Sequence, residues 1–335
     1  MKGFKIYNFR SVEKLIATRK GETKFGENVN FIDSFNQLKG HSAKFVLFGI
    51  PEDIGVRGNH GKAGTSVAWQ TCLKSLLNIQ VNEYTSAKNL ILLGEIDCKE
   101  HLEKASKLAE NDPNYLVKLG ELVEGIDKIV SAVVQEIVSA GKIPLITGGG
   151  HNNAFGNIKG TSEALQKPLN VLNIDAHTDL RQLEHRHSGN GFSYAISKNY
   201  LEKYAIFGLH QNYTPQYIFE EMKASENIKF QLFEYLMFSD WEKQKEQFEL
   251  VIQFVSENDF GLEVDCDAIK DFPSSAKSPT GFSIEQIRCF IRMAKAKNCR
   301  YLHICEAAPN SENESQVGKA LSYFVTDFMA NEIIL

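Results

Sequence analysis

Eight short and almost uninterrupted apolar runs separate the polar and amphipathic stretches of this sequence. Of all its features, these runs limit the possible folds most. Strict alternation of polar and apolar residues would indicate strands with one face in water. Continuous apolar runs are instead typical of strands buried on both faces of a parallel sheet. The predicted strands are Lys44–Ile50, Asn89–Ile96, Lys142–Gly149, Leu169–Ala176, Tyr204–His210, Lys229–Tyr235, Phe260–Asp267 and Tyr301–Ala307.

Helical patterns lie between several of these strands. Residues 115–140 carry apolar side chains at spacings of three and four and end at Gly141, a residue type common just after helices. A C-terminal helix is predicted from an apolar stripe at the same spacing. The stripe consists of Val317, Ala320, Phe324 and Phe328.

Two serines have the spacing of a capping box. In this motif the side chain of the first residue accepts from the amide three positions later, and the side chain of that later residue accepts from the amide of the first. Ser239 precedes Glu242, and Ser283 precedes Gln286. Both pairs therefore predict helix starts.

The alternation of strands and helices predicts a single α/β domain over residues 1–335. We expect three layers, α/β/α, around a central and mostly parallel sheet of about eight strands. Residues 1–40 or so are predicted to form an N-terminal extension packed on this domain.

Composition excludes several classes of protein. A net charge of −5 over 335 residues gives no general attraction for nucleic acid or anionic membrane, so neither is an expected partner. The apolar runs are too short to cross a bilayer, and the first residues have no secretory pattern. The six cysteines form no C-x-x-C pairs, which predicts a reduced, cytoplasmic setting.

Six residues of metal-ligand type follow three of the predicted strands, at the sheet edge where α/β proteins bind ligands. Alternate residues of an extended strand point to one side, so Asp175 with His177, and Asp265 with Asp267, are predicted to face one site. Four carboxylates and two imidazoles without a thiolate favour Mn²⁺, and four negative charges predict two such ions per chain. The candidate ligands are His151, Asp175, His177, Asp179, Asp265 and Asp267.

With these motifs the sequence resembles the ureohydrolase (arginase/agmatinase/formimidoylglutamase) family. The motifs are GIPEDIGVRGNHGKAG (49–64), GGGH (148–151), DAHTD (175–179), DCD (265–267) and EAAP (306–309). The resemblance implies an arginase-like fold and a binuclear manganese site made by the six residues above. It also implies hydrolysis of a guanidino or formimino C–N bond by metal-bound hydroxide, and a homo-oligomeric assembly.

The resemblance also implies roles for individual residues. Asp179 would accept a hydrogen bond from the hydroxide, and Glu306 would hold the cationic amidinium of a small-molecule substrate. His187, or His185, could transfer a proton, although both could be exposed loop histidines. Other candidates for contacts with the substrate are Arg181, Arg57, Ser188 and Asn190, with a loop salt bridge as the alternative for Arg181.

Gly150 and Ser188 favour the formimidoylglutamase branch, which acts on N-formimidoyl-L-glutamate to release L-glutamate and formamide in histidine catabolism. The alternatives are an agmatinase or guanidino-acid hydrolase, and a family member that binds metal without catalysis. Glu263 departs from the family pattern, which often has serine at that position. Cys266, between two candidate ligands, is predicted to be a core residue rather than a nucleophile.

Overall fold

The computed structural model describes residues 1–330 and contains one twisted sheet with helices on both faces. The strand order is β1-β3-β2-β4-β9-β8-β5-β6-β7, and all neighbours are parallel except β1 and β3. The predicted fold class is therefore confirmed. The strands are β1 (Phe4–Ile6), β2 (Phe45–Gly49), β3 (Leu90–Ile96), β4 (Ile143–Thr147), β5 (Leu169–Ile174), β6 (Leu201–Leu209), β7 (Ile228–Leu232), β8 (Phe260–Asp265) and β9 (Cys299–Cys305).

Helices cover both faces of the sheet, which makes the three predicted layers. They are α1 (Phe9–Val12), α2 (Ile54–Gly58), α3 (Ala68–Leu76), α4 (Lys99–Ser106), α5 (Tyr115–Ser139), α6 (Ala154–Leu165), α7 (Gly191–Ser197), α8 (Gln216–Ala224), α9 (Phe233–Leu236), α10 (Trp241–Val255), α11 (Ile284–Lys295) and α12 (Glu314–Met329). Among these described helices, none is both long and apolar enough to pass through a bilayer.

The hydrophobic core is divided by the sheet into two clusters. Helices α3, α10, α11 and α12 pack on one face, whereas α5, α6, α7 and α8 pack on the other. In β2, Leu47 faces the first cluster while Val46 and Phe48 face the second. Successive side chains of a strand point to opposite faces, so a strand between two helical layers needs apolar residues at every position. This explains the continuous apolar runs.

The ends of the helices agree with the sequence in most places. Helix α5 ends one residue before Ala140, and the Ser283–Gln286 capping box opens α11 as predicted. The prediction that Ser239 caps a helix is wrong. Its amide and hydroxyl donate to carbonyls of the preceding α9 turn, so Asp240 is the first extended residue and caps α10 instead.

The first 40 residues pack on the edge of the sheet. Strand β1 adds to β3 in the antiparallel direction, and the side chains of Phe25 and Leu38 are fully buried. Gly94 of β3 allows this contact. Its φ is +141°, and a Cβ added there would lie 1.9 Å from the carbonyl oxygen of Lys5.

We predict that Gly94→Ala detaches β1 from β3. Gly141→Ala is the matched control, because Gly141 also has a positive φ (+76°) but has open space where a Cβ would lie. The control should lose about 1–2 kcal/mol of unfolding free energy from backbone strain alone. Gly94→Ala should lose more in urea unfolding, and the amides of Phe4–Ile6 should exchange faster with solvent. Equal losses in both variants, with unchanged exchange, would contradict the role given to this close approach.

Candidate metal centre

The candidate ligands follow strands that are neighbours in the sheet. Strands β4, β9, β8 and β5 lie side by side, and each carries an acidic or imidazole side chain at its carboxyl end. His151 begins a short 3₁₀ turn after β4, Asp175 follows β5, Asp265 ends β8 and Glu306 follows β9. Parallel strands bring these ends to one edge, so the sheet itself gathers the charges.

His151 lies at the centre of the first group of ligands. Its Nδ1 atom is 2.8 Å from a carboxylate oxygen of Asp179, 2.9 Å from Asp265 and 3.2 Å from Asp175. The nitrogen is buried, yet none of these contacts has the geometry of a hydrogen bond. One donor atom from each of the four residues lies within 4.8 Å of all the others. An imidazole nitrogen surrounded by carboxylate oxygens is a donor set that suits a divalent cation.

A second group shares one of these carboxylates. His177 Nδ1 lies 3.5 Å from Oδ1 of Asp175 and 3.9 Å from Oδ2 of Asp267. Its ring stacks on Tyr213 with the ring centroids 5.2 Å apart. Asp175 therefore presents one oxygen to each histidine. The structure thus brings the six candidate ligands to one edge of the sheet, and four of them, His151, Asp175, Asp179 and Asp265, form the tighter group.

Turns, rather than extended strands, place the paired ligands. Strand β5 ends before Asp175, and Oδ1 of Asp175 accepts a hydrogen bond of 2.8 Å from the amide of His177. Strand β8 ends at Asp265, which accepts a bond of 2.7 Å from the amide of Asp267. The predicted strand alternation is therefore wrong as the cause of these pairs. Each aspartate folds its own backbone so that the second ligand turns toward it.

Two further site residues have left-handed backbone conformations. The φ angles of Asp179 and Glu306 are +48° and +60°. Such conformations cost non-glycine residues about 1–3 kcal/mol each and are concentrated at functional sites. In both places the chain turns back so that a carboxylate reaches the site from beyond a strand end.

The acidic groups repel one another in a buried environment. Burial, followed by the charges of Asp175 and Asp267, raises the pKa of Asp265 well above its ordinary value. Burial opposes a charge on His177, but its hydrogen bond to Asp175 and the nearby carboxylates raise its pKa to about 10. Bound cations would relieve this repulsion. The residues therefore suit divalent cations in the chemistry of their donors and in their electrostatics.

Glu306 presents a free carboxylate oxygen beside this group. Its Oε1 accepts a hydrogen bond of 2.6 Å from the amide of His151, whereas Oε2 is buried without a hydrogen-bond partner. Burial, with a further contribution from Asp267, raises the pKa of Glu306 to about 8. The residue lines the same cleft as His177, Asp179, Asp265 and Asp267.

The cleft has a volume of about 320 Å³, and its lining includes both acidic and cationic side chains. The acidic residues of the lining are Asp179, Asp265, Asp267 and Glu306. Arg181 and Lys62 are the cations there, and neither side chain has a hydrogen bond or ion pair within residues 1–330. The other lining residues include His60, Ser188 and Tyr213.

Four of the residues predicted to transfer a proton or to contact the substrate do not line this cleft, and two of them, His187 and Asn190, lie in the loop beside it. His187 is buried, with Nδ1 accepting from the amide of Gly189 and Nε2 3.1 Å from Glu184. Both ring nitrogens are thus occupied, and burial lowers the pKa of His187 to about 4. Asn190 is fully buried and its side chain bonds within its own loop, including to the carbonyl of His185.

The other two of these residues, His185 and Arg57, also have hydrogen-bond partners away from the cleft. Nε2 of His185 lies 3.0 Å from the carbonyl oxygen of Gly58. Arg57 donates to the carbonyl of Ala105 and to the hydroxyl of Tyr115. His185 thus joins its loop to α2, and Arg57 joins α2 to α4 and α5.

Two residues that were not predicted from the sequence support the site from behind. Glu52 is fully buried, and its carboxylate accepts from the amides of Gly150 and Ile54. Asn173 donates to Oδ2 of Asp175 at 2.9 Å. Glu52 lies in the GIPEDIG segment, and Asn173 stands two positions before a ligand. Both residues could have been noticed in the sequence, because each is a polar residue within or next to an otherwise apolar run.

Arg186 connects the loop of residues 181–190 to the helical layer. It is 1% exposed, and its guanidinium donates to Asp127 of α5 at 3.1 Å. The same group donates to the carbonyl of Asn152 at 2.9 Å and to the side chain of Asn190 at 2.5 Å. Because Asn152 follows the ligand His151, one buried cation fixes two loops of the site.

We predict that removing either member of the Arg186–Asp127 pair destabilises the protein strongly. Arg186→Met and Asp127→Leu should each lose about 3–5 kcal/mol, because each leaves an uncompensated charge in the interior. The double variant should lose less than the sum of the two, as measured by urea unfolding. Additive losses, or single losses below about 1 kcal/mol, would be inconsistent with a buried ion pair that anchors the loops.

Comparisons with known proteins agree with this fold. The chain is similar to formiminoglutamase from Trypanosoma cruzi in a structure with Mn²⁺, with 16% identity, a TM-score of 0.72, and coverage of 93% of this chain and 100% of that one. It is also similar to formimidoylglutamase from Bacillus subtilis, with 17% identity, a TM-score of 0.72, and coverage of 93% and 94%.

Sequence comparison gives the family. Formimidoylglutamase from Chromobacterium violaceum is 31% identical over 149 residues, which are 44% of this chain and 41% of that protein. The matched part spans between 41% and 66% of the length of the first curated relatives. A family model described as the arginase family matches residues 43–330, which includes every candidate ligand. The chain therefore belongs to the arginase family.

Proposed function

We propose that this protein hydrolyses N-formimidoyl-L-glutamate to L-glutamate and formamide at a site with two Mn²⁺ ions per chain. The observation that carries the proposal is that both acidic and cationic side chains line the cleft. Glu306 has a carboxylate oxygen without a hydrogen-bond partner, and the side chains of Arg181 and Lys62 have no ion pair within residues 1–330. The substrate has a cationic formamidinium at one end and two carboxylates at the other.

The proposed metal ions would be held by the two groups of ligands described above. His151, Asp179 and Asp265 would belong to one group and His177 and Asp267 to the other, and Asp175 has one carboxylate oxygen near each histidine. When bound, two divalent cations lower the pKa of a water molecule and polarise the substrate. The Mn²⁺ in the T. cruzi structure and the oxygen-rich ligand set support manganese.

The protein's own residues orient the reactants in this proposal. Glu306 holds the amidinium by charge-assisted hydrogen bonds through Oε2, next to the amide of His151. Asp179 accepts a hydrogen bond from the attacking water. Water adds to the formimino carbon, the C–N bond to the glutamate nitrogen breaks, and that nitrogen takes up a proton. The products are an amine and formamide, so all atoms of the substrate and one water are accounted for.

The buried partners of His187 and Asn190 favour a structural role for both residues. We propose that they shape the loop that presents Ser188 and Arg181 to the cleft. A small-molecule substrate, a cytoplasmic location, a homo-oligomeric assembly and a part in histidine catabolism belong to the same proposal.

The first test combines a metal count with a substrate panel. The purified protein, loaded with Mn²⁺ and dialysed, should contain two Mn²⁺ per chain and release formamide and glutamate from N-formimidoyl-L-glutamate. Treatment with a chelator should remove activity, and Mn²⁺ should restore it. Turnover of agmatine or arginine alone would favour the guanidine-cleaving alternative. Two bound Mn²⁺ without turnover of any of these compounds would favour the non-catalytic alternative.

The second test concerns the cationic wall. Arg181→Met and Lys62→Met should each raise KM for N-formimidoyl-L-glutamate by about 10- to 100-fold, because a hydrogen bond to a charged group contributes about 1.5–3 kcal/mol. A formamidine without carboxylates should react equally with both variants and the parent. Lys39→Met removes an exposed lysine that has no ion pair within residues 1–330 and is the control. An unchanged KM in both cleft variants would contradict carboxylate binding at this wall.

A further inference from the structure

We infer that Glu263 is a positioning residue that fixes the ring of His151, so that Nδ1 faces the metal-binding carboxylates, and thereby sets the affinity for one of the two metal ions. The inference rests on the metal centre of the proposed function, but it concerns binding rather than turnover. Glu263 lies on β8 two residues before Asp265 and is 0% exposed. It is not one of the six ligands, and the proposed mechanism does not use it.

The carboxylate of Glu263 is held firmly from strand β9. Glu263 stands opposite His303 in the parallel pairing of β8 with β9, and Tyr301 lies two residues earlier on the same face. Tyr301 donates its hydroxyl to Oε1 at 2.7 Å, and Nδ1 of His303 lies 2.5 Å from Oε2. The charge of His303 helps to lower the pKa of Glu263 to about 2 despite its burial. A buried carboxylate with two such partners stays in one orientation.

His151 has one ring nitrogen left to satisfy. Its Nδ1 faces the carboxylates of the metal centre, while Nε2 is buried, has no hydrogen-bond partner and lies 3.5 Å from Oε2 of Glu263. A neutral imidazole that binds metal through one nitrogen carries its hydrogen on the other. Ligating histidines usually donate that hydrogen to a carboxylate or carbonyl, which fixes the ring. Glu263 is positioned to accept it after a small tilt of the ring.

The support for Glu263 extends to the turn that carries His151. Nε2 of His303 lies 3.4 Å from the carbonyl oxygen of Gly148, three residues before His151. The side chain and the backbone of the ligand are thus both connected to the same buried pair. Cys305 is another neighbour of His151, but its thiol points toward the carbonyl of Val264 and is a weak acceptor.

Metal affinity tests this inference without reference to catalysis. Glu263→Gln keeps the size of the side chain and removes its charge, and we expect one Mn²⁺ per chain to bind about 10- to 100-fold more weakly. The second Mn²⁺ should be retained with little change. Competition against a fluorescent chelator measures both constants, and circular dichroism verifies the fold. An unchanged pair of constants, or equal weakening of both, would overturn the inference.

A matched control is available in the same sheet. Glu95 of β3 is also a buried glutamate that accepts from a tyrosine hydroxyl, at 2.6 Å from Tyr7, and two strands separate β3 from β9. Glu95→Gln should leave both Mn²⁺ constants unchanged. Cys305→Ser should do the same, and a loss of affinity there but not in Glu263→Gln would assign the role to the thiol instead.

A milder variant covers the case in which Glu263→Gln does not fold. Tyr301→Phe removes the hydrogen bond to Oε1 alone, and we expect the same Mn²⁺ to bind several-fold more weakly. Unchanged constants in this variant would count against the inference. A parent protein that binds two Mn²⁺ but leaves N-formimidoyl-L-glutamate intact would refute the proposed function and not this assignment. Normal turnover together with normal Mn²⁺ binding in Glu263→Gln would refute this assignment and leave the proposed function intact.

Discussion

The repulsion among carboxylates at one edge of the sheet is the constraint on which the structure around the site depends. Six acidic side chains, all but one of them almost fully buried, lie at or near the carboxyl ends of three neighbouring strands. They are Asp175, Asp179, Glu263, Asp265, Asp267 and Glu306. Isolated charges of this kind are very costly in an interior. The protein offsets that cost with hydrogen-bond donors, namely backbone amides and tyrosine, asparagine and histidine side chains.

This constraint explains why the supporting residues are polar and buried as well. Glu52 binds the amides of the glycine turn, and Arg186 joins that turn to the loop beside the cleft. Neither residue touches the open volume of the cleft, yet both determine where its walls lie. Rigid support of this kind is what a site needs if its ligands are to remain in place while they repel each other.

The sequence predicted the fold and the six candidate ligands because both depend on strong, local signals. Buried strands require continuous apolar runs, and ligands must stand near strand ends. Other features depended on contacts that no local pattern reveals. Ser239 had the spacing of a helix cap, but its hydrogen bonds went to the turn before it. His187 stood beside the site in sequence, while the fold directed its ring to Glu184. Asp267 reached the site through a turn that strand periodicity does not describe.

Strand β1 also affects how copies of this protein can associate through the edges of their sheets. Exposed strand edges are templates on which further chains can add, and proteins protect them with short or irregular edge strands. β1 is three residues long and runs against the direction of the rest of the sheet, and it pairs with β3 at Gly94, where the pairing of β3 with β2 is irregular. The N-terminal segment therefore leaves few free backbone groups in a regular row on that side. By covering that edge, the N-terminal segment limits edge-to-edge aggregation of the parallel sheet.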